Sequence, residues 1–328
     1  MRNVFLFLAI ALVTQLNLAF AQSNWKPSKN IEIIVGTSAG GAADRSARLV
    51  QRILQQMRID DGVIVVNKPG GSYIPSFIYL NQYSGDGHYI AISPINLVTN
   101  RVVGLGVISQ SDITPLAQLI SDYHVFSVKT DSPIKSAKDA ISLLKKDPTS
   151  LSIAISPGPG GANHFAAGTI FKAAGIDIKR LKFVAFASGG QSTVSVLGGH
   201  ADILVSATPS VTPMIESGKM RARAVTSPKR LDGIMSGVPT WKESGIDSEF
   251  SNWRGLIGPR GMSVSQIAFW DSTLERMVQT EEWKADLMKN NQVSSYLNSQ
   301  ASKKYLDVQT AELSEIVMAL GLAKPVSH

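Results

Sequence analysis

The sequence predicts an α/β fold on three observations. Short β-branched apolar runs alternate with stretches of helical period. A strand that runs into a glycine loop and then a helix occurs once in each half of the chain. The 328 residues include no cysteine, so neither a disulfide nor a lipid attachment site contributes, and the length allows about two domains stabilised by burial.

Residues 1–21, MRNVFLFLAIALVTQLNLAFA, place one Arg ahead of an uncharged apolar run that closes on Ala19-Phe20-Ala21. That is the pattern of a secretory signal peptide cleaved near Ala21. Gln15 and Asn17 interrupt the run, which falls short of the ~20 apolar residues of a membrane span. No later segment approaches that length without charges, so the mature chain is expected to be soluble and exported. Ile31 to Val35 is the first strand, and Ala43, Ala47, Val50, Leu54 and Met57 then recur on one face of a helix. Val63 to Val66 is the next strand, ended by Asn67-Lys-Pro-Gly-Gly71. Tyr89 to Ile92 follows the turn at Ser84 to Gly87. This alternation predicts a mainly parallel sheet.

A second block begins near Val125-Phe-Ser-Val128. Its helix runs from Ser136, a candidate N-cap with Asp139 three residues on, to Lys146. Leu151 to Ile155 is a strand, Ser156 to Ala162 a glycine loop, and His164 to Ala174 a helix closed by Gly175. Phe183 to Phe186, Ala201 to Ser206 and Arg221 to Thr226 supply further strands, and the tail from Ser263 has helical period. The strand, glycine loop and helix thus recur as a unit, with no residue-level repeat evident between the two copies.

The formal net charge is +7. Lys and Arg are scattered, with nothing longer than pairs such as Lys145-Lys146, so no nucleic-acid surface is expected; the excess suits capture of small anions. His88, His124, His164, His200 and His328 show no paired spacing, which argues against a metal site. Neither G-x-G-x-x-G nor G-K-[ST] accompanies the first loop, and no cofactor is expected.

A glycine loop that opens a helix leaves the first backbone N–H groups of that helix unpaired. With the positive end of the helix dipole they form a site for an anion. Glycine lets a ligand approach the backbone and permits left-handed geometry. Two such loops in two halves can close on one ligand. His164, in the first turn after the second loop, would be kept neutral by the dipole and give a hydrogen bond from one nitrogen. The alternative is a secreted serine hydrolase, because Gly36-Thr-Ser-Ala-Gly40 fits the G-x-S-x-G elbow with Ser38 as nucleophile. Against it, this strand is the first of the mature chain, and no His but His328 lies where the fold would place the base.

Along essentially the whole mature chain the residues resemble a known family. The carrying segments are Lys26-Pro-Ser-Lys-Asn-Ile31, Gly40-Gly-Ala-Ala-Asp44, Asn67-Lys-Pro-Gly70, Asp86-Gly-His-Tyr89, Asn163-His164 with Phe171-Lys172, Leu197-Gly-Gly-His-Ala-Asp202, Gly218-Lys-Met-Arg221, Ala224-Val-Thr-Ser227, Val238-Pro-Thr240 with Glu243-Ser-Gly245, and Trp253-Arg-Gly-Leu256 with Gly258-Pro259. In order and spacing the chain resembles the substrate-binding proteins of tripartite tricarboxylate transporters, the Bug or TctC-like extracytoplasmic receptors.

The resemblance implies a type II periplasmic-binding-protein fold of two α/β domains with a ligand cleft between them. Residues 22–124 with 247–328 would form one domain and 125–246 the other. It implies a monomeric periplasmic receptor, with no catalytic chemistry, that holds a small carboxylate through the two glycine loops. Its partners would be membrane transporter subunits of that tripartite type, or a membrane sensor. Carried over by position, the cleft comprises Thr37, Ser38, Ala39, Gly40, Gly41 and Asp44, then Gly160, Gly161, Ala162 and His164, then Ser188, Gly189 and Gln191, with Ser206 ending a strand at the pocket. Backbone N–H groups of Ala39 to Ala42 and Gly160 to Asn163 would meet the anion, and the Ser38 and Ser188 hydroxyls would add donors. Asp44 would orient the loop or bind an amino group or water; simple helix capping is the equal alternative. The chain departs from the family at Thr37-Ser38, usually an aromatic and a proline, at Gly161, usually a hydroxyl residue, and at Ser206-Ala207, often Asn or Asp.

Overall fold

A computed structural model describes residues 25–59, 62–105, 108–156, 158–290 and 292–322. The signal-peptide expectation for residues 1–21 and the terminal His328 lie outside the described residues.

The first parallel set is β1 (Glu32–Val35), β2 (Ile64–Asn67) and β3 (Tyr89–Pro94), with β1 between the other two. Helix α1 (Ala42–Gln56) follows β1 and buries Ala43, Ala47, Val50 and Leu54 of the anticipated stripe, with Leu49 and Ile53 beside them, while Met57 falls at the C-cap and is half-buried. Helices α2 (Ile74–Asn81) and α3 (Asn96–Val102) complete this part. The second parallel set has β5 (Ser152–Ile155) between β6 (Lys182–Ala185) and β7 (Ile203–Ala207). Its helices are α4 (Ala137–Lys146), α5 (Ala162–Ala173), α6 (Gly189–Leu197) and α7 (Thr208–Glu216). Ser136 caps α4 as expected: its hydroxyl accepts from the Asp139 N–H, and the Asp139 carboxylate accepts from the Ser136 N–H.

One strand joins the two sets. β4 (Ile113–Lys129) runs antiparallel to β9 (Ser251–Pro259) over its first part and to β7 and β8 (Met220–Val225) over its second. It changes partners between Tyr123, paired with Ser251, and His124, paired with Ala207. The strand order is β2-β1-β3-β9-β4-β7-β5-β6. The sheet is therefore mixed rather than mainly parallel, because every pairing made by β4 or β9 is antiparallel. Sequence had revealed β4 only at Val125 to Val128. In its first part Gln118, Ser121 and Asp122 break the apolar run, and register shifts at Pro115/Ala117 and Gln118/Ile120 break the period of two.

The tail is not helical throughout. Helices α8 (Val264–Met277) and α9 (Glu281–Lys289) precede β10 (Val293–Leu297), which adds antiparallel to β4, and α10 (Ser299–Ala319) closes the described chain. Trp270 and Trp283, both fully buried, join α1 and the strands in a core on one face of β1, β3, β9 and β4. A second core continues from α2 and α3 through Phe126, Phe171 and Trp241 to α10. The two parallel sets present the carboxyl ends of β1 and β5, each followed by a glycine loop and a helix.

Candidate functional site

In the first loop Gly36 is buried, and a Cβ there would run into the Tyr73 ring. Thr37 is half-buried, whereas Ser38, Ala39 and Gly40 are exposed. Gly40 takes φ +83°, and extended Gly41 caps α1 without a side-chain bond. Asp44, 1% exposed, reaches back from the first turn of α1. Its Oδ2 accepts from the Gly40 N–H at 2.8 Å and from Arg48 Nε at 2.9 Å, and its Oδ1 accepts from Asn67 Nδ2 at 2.9 Å. Asn67 Nδ2 also donates to the Thr37 carbonyl at 2.9 Å. Burial opposes ionisation of Asp44, but the bonds from Arg48, Gly40 and Asn67 outweigh it and hold the carboxyl below its usual range. Asp44 is thus an internal strut that shapes the loop.

The second loop repeats this backbone 120 positions later. Gly160 takes φ +78°, and extended Gly161 caps α5, again without a side-chain bond. The Gly161 N–H meets the Gly158 carbonyl at 3.2 Å, as the Gly41 N–H meets that of Ser38 at 3.3 Å. The Phe165 N–H reaches Gly161 O at 3.0 Å, as that of Arg45 reaches Gly41 O at 2.9 Å. In the place of Asp44, His164 Nδ1 accepts from the Gly160 N–H at 3.1 Å. A residue-level repeat therefore exists after all, Gly40-Gly-Ala-Ala-Asp44 against Gly160-Gly-Ala-Asn-His164. It is short, and its last position carries a carboxylate in one copy and an imidazole in the other, each accepting from the equivalent backbone N–H, that of Gly40 or of Gly160.

That bond fixes the imidazole as neutral with its proton on Nε2. The ring packs edge-on to Phe183 with centroids 4.3 Å apart, and burial pushes its pKa down to about 4. Nε2 is buried without a hydrogen-bond partner among the described residues.

The same geometry bears on the expected backbone contacts, Ala39 to Ala42 and Gly160 to Asn163. The N–H groups of Gly40, Gly41, Gly160 and Gly161 are used within their loops. Ahead of the first intrahelical bonds, made by the Arg45 and Phe165 N–H groups, stand the donors of Ala42, Ala43 and Asp44 on α1 and of Ala162, Asn163 and His164 on α5.

At the third loop the Ser188 hydroxyl caps α6 by accepting from the Gln191 N–H at 3.3 Å, and Gln191 Oε1 accepts from the Ala187 N–H at 3.2 Å. Ser188, Gly189 and Gln191 are exposed, and the Ser188 proton remains available. A Cβ on Gly189 would lie 3.9 Å from Ser156 Oγ, which places this helix start beside the end of β5. Ser206 is 4% exposed, and its hydroxyl has no partner among the described residues.

Sequence reasoning missed a polar strip on β4 and β9. Arg254 Nη2 lies 2.7 Å from Asp122 Oδ2, and Gln292 Nε2 donates to Asp122 Oδ1 at 3.0 Å. His124 is 1% exposed, and burial pushes its pKa down to about 4 against the opposing pull of Asp122 and Asn163. Beside the first loop, Ser72 and Tyr73 take φ +54° and +73°, a strained turn held by Asn100 Nδ2 on the Ser72 carbonyl at 2.6 Å. The available signal was Asp122 and His124 standing between the apolar stretches Leu119-Ile120 and Val125-Phe126.

The G-x-S-x-G stretch lacks the build of a nucleophile elbow. Ser38 is not among the described residues with positive φ, and Gly36 is required by the Tyr73 ring. Among the described residues no cluster of three His, Asp or Glu could hold a metal, and no helix is long and apolar enough to cross a membrane.

A profile of the family described as "Tripartite tricarboxylate transporter family receptor", TctC, matches residues 46–322. A UPF0065 protein from the gbd 5′ region of Cupriavidus necator is 26% identical over 309 residues, covering 93% of this chain and 92% of its own length. A solved TctC solute binding protein from Polaromonas, without ligand, superposes with TM-score 0.80 at 25% identity, over 89% of this chain and 99% of that one. An R. palustris protein solved with adipate has TM-score 0.70 at 21% identity, over 90% of this chain and 99% of its own, and shares the fold.

Proposed function

The chain belongs to the tripartite tricarboxylate transporter receptor family, TctC, and from that premise we propose that it captures a small carboxylate and delivers it to a membrane transporter of that tripartite type. The family is one of periplasmic solute-binding receptors, not a class of enzymes. The observation that carries the reading is the pair of matching helix starts, each with unpaired N–H donors and left-handed glycine at its entry. The fold shared with an adipate-bound protein supports a carboxylate as the ligand. The change of β4 partners between Tyr123 and His124 supports the first domain limit, near 124, with closure about that crossing, and the second limit at 247 belongs to the same proposal. Export through a signal peptide cleaved near Ala21, action as a monomer, and the fourteen cleft positions from Thr37 to Ser206 belong to the same proposal.

The test is a thermal-shift screen of refolded protein, freed of carried-over ligand, against carboxylates, aromatic acids, amino acids and phosphate. Ligand at a hundred times its dissociation constant adds ~2.7 kcal/mol, a rise of several degrees in Tm. A carboxylate is expected to give that rise. If none does while a test ester is hydrolysed, the receptor reading fails in favour of the Ser38 hydrolase. Ser38→Ala separates the two in a second way: it should weaken carboxylate binding by roughly tenfold or less, the loss of one charge-assisted hydrogen bond, where a nucleophile's removal would end turnover.

A further inference from the structure

We propose that Arg254 is a specificity-determining residue that receives a second carboxylate on the ligand, so that this receptor selects dicarboxylates over monocarboxylates of the same length. The proposal rests on the glycine loops holding the first carboxylate. Arg254 is two residues from Leu256 on β9 and shares its face. Leu256 packs in the core with Ala43, Ala47 and Val50 of α1, so Arg254 stands on the side of the sheet from which the first glycine loop rises. It pairs with Pro94, the last residue of β3, at the carboxyl ends of the first parallel set. Ligands of open α/β sheets bind beyond those ends.

Neighbouring groups agree with this position. The Tyr73 ring fills the space above Gly36, and the charge of Arg254 acts on the Tyr73 hydroxyl, countering the upward push of burial on its pKa. On the other side Asp122 and then His124 continue the same face of β4 toward Asn163 in the first turn of α5. Arg254 therefore belongs to a polar strip that runs between the two loops.

The guanidinium is 5% exposed and its charge is balanced by Asp122, yet its donors are poorly used. Nη2 is near Asp122 Oδ2 but outside hydrogen-bonding direction, and Nε has no partner among the described residues. Asp122 turns its other oxygen to Gln292. A buried guanidinium carries five donors in a planar fork, and leaving them unmet is unfavourable. A carboxylate fits that fork with two parallel bonds, which a hydroxyl or keto group cannot match.

Calorimetric titration of refolded protein with succinate and butyrate, glutarate and pentanoate, and adipate and hexanoate tests this. At least one diacid should bind ten times or more tighter than its monoacid, and in Arg254→Gln that ratio should fall to within threefold of one. The double variant Asp122→Asn with Arg254→Gln removes both buried charges together, and the ratio should collapse in it too, with cooperative unfolding as the control for folding. A ratio near one in the unaltered protein, or a diacid preference that survives in either folded variant, overturns the role of Arg254 and leaves the carboxylate reading intact. Binding of no acid of either kind overturns that reading as well.

Discussion

Asp44→Ala is expected to lower stability by about 3 kcal/mol and to weaken carboxylate capture at least a hundredfold. Three donors lose their acceptor in that variant: the Gly40 N–H, Arg48 Nε and Asn67 Nδ2. They do not count equally. The Arg48 side chain is 45% exposed and can turn to water, so its share is small. Gly40 is exposed and Asn67 half-buried, but both meet Asp44 at a side chain only 1% exposed, so the loss there is of charge-assisted bonds to a carboxylate shielded from water.

The effect on binding follows from geometry more than from stability. Asp44 ties Gly40 directly and Thr37 through Asn67, so its removal frees the loop that sets the direction of the Ala42 and Ala43 donors. Asp44→Asn keeps one acceptor oxygen and should fall between the two. Chemical unfolding and calorimetric titration check both variants. If Asp44→Ala binds a carboxylate as tightly as the unaltered protein, the strut has no part in shaping the site.

The strands and helices that sequence made legible are those whose burial is one-sided or complete. β1 is short and apolar, α1 has a clean stripe, and both glycine loops stand where a strand gives way to a helix. The antiparallel crossing was not legible, because the first part of β4 mixes Gln118, Ser121 and Asp122 with apolar residues across two bulges. The match between the loops was hidden for a different reason. Asp44 and His164 share an acceptor role toward a backbone N–H, which side-chain identity does not reveal. Arg254 stood within the segment Trp253-Arg-Gly-Leu256 without a role of its own, and only strand register shows that it shares a face with Asp122 and Leu256.

Acidification from pH 7 to pH 4.5 is expected to remove roughly 5 kcal/mol of stability, most of it through two histidines. His124 and His164 each have a folded pKa of about 4 against 6.5 when unfolded, with burial as the chief cause. The unfolded chain therefore binds more protons between those values, and stability rises with pH across that window. It is fully present above pH 6.5 and is lost as pH falls toward 4. Asp44 and Asp86 have folded pKa values below the usual 3.8, so their contribution is lost only at still lower pH. Glu312, raised by burial and by Glu249 and Glu315, acts in the opposite sense, but it is one group against two. Protonation of His164 also removes the Nδ1 acceptor of the Gly160 N–H, so the second loop loosens while Asp44, still ionised, keeps the first in shape. His164→Gln retains an oxygen acceptor for Gly160 without a titrating group. It should therefore remove about half of the fall in urea midpoint between pH 7 and pH 4.5. An unchanged pH dependence in that variant would show that His164 takes up its proton as readily in the folded protein as in the unfolded chain, contrary to the bond it accepts from Gly160.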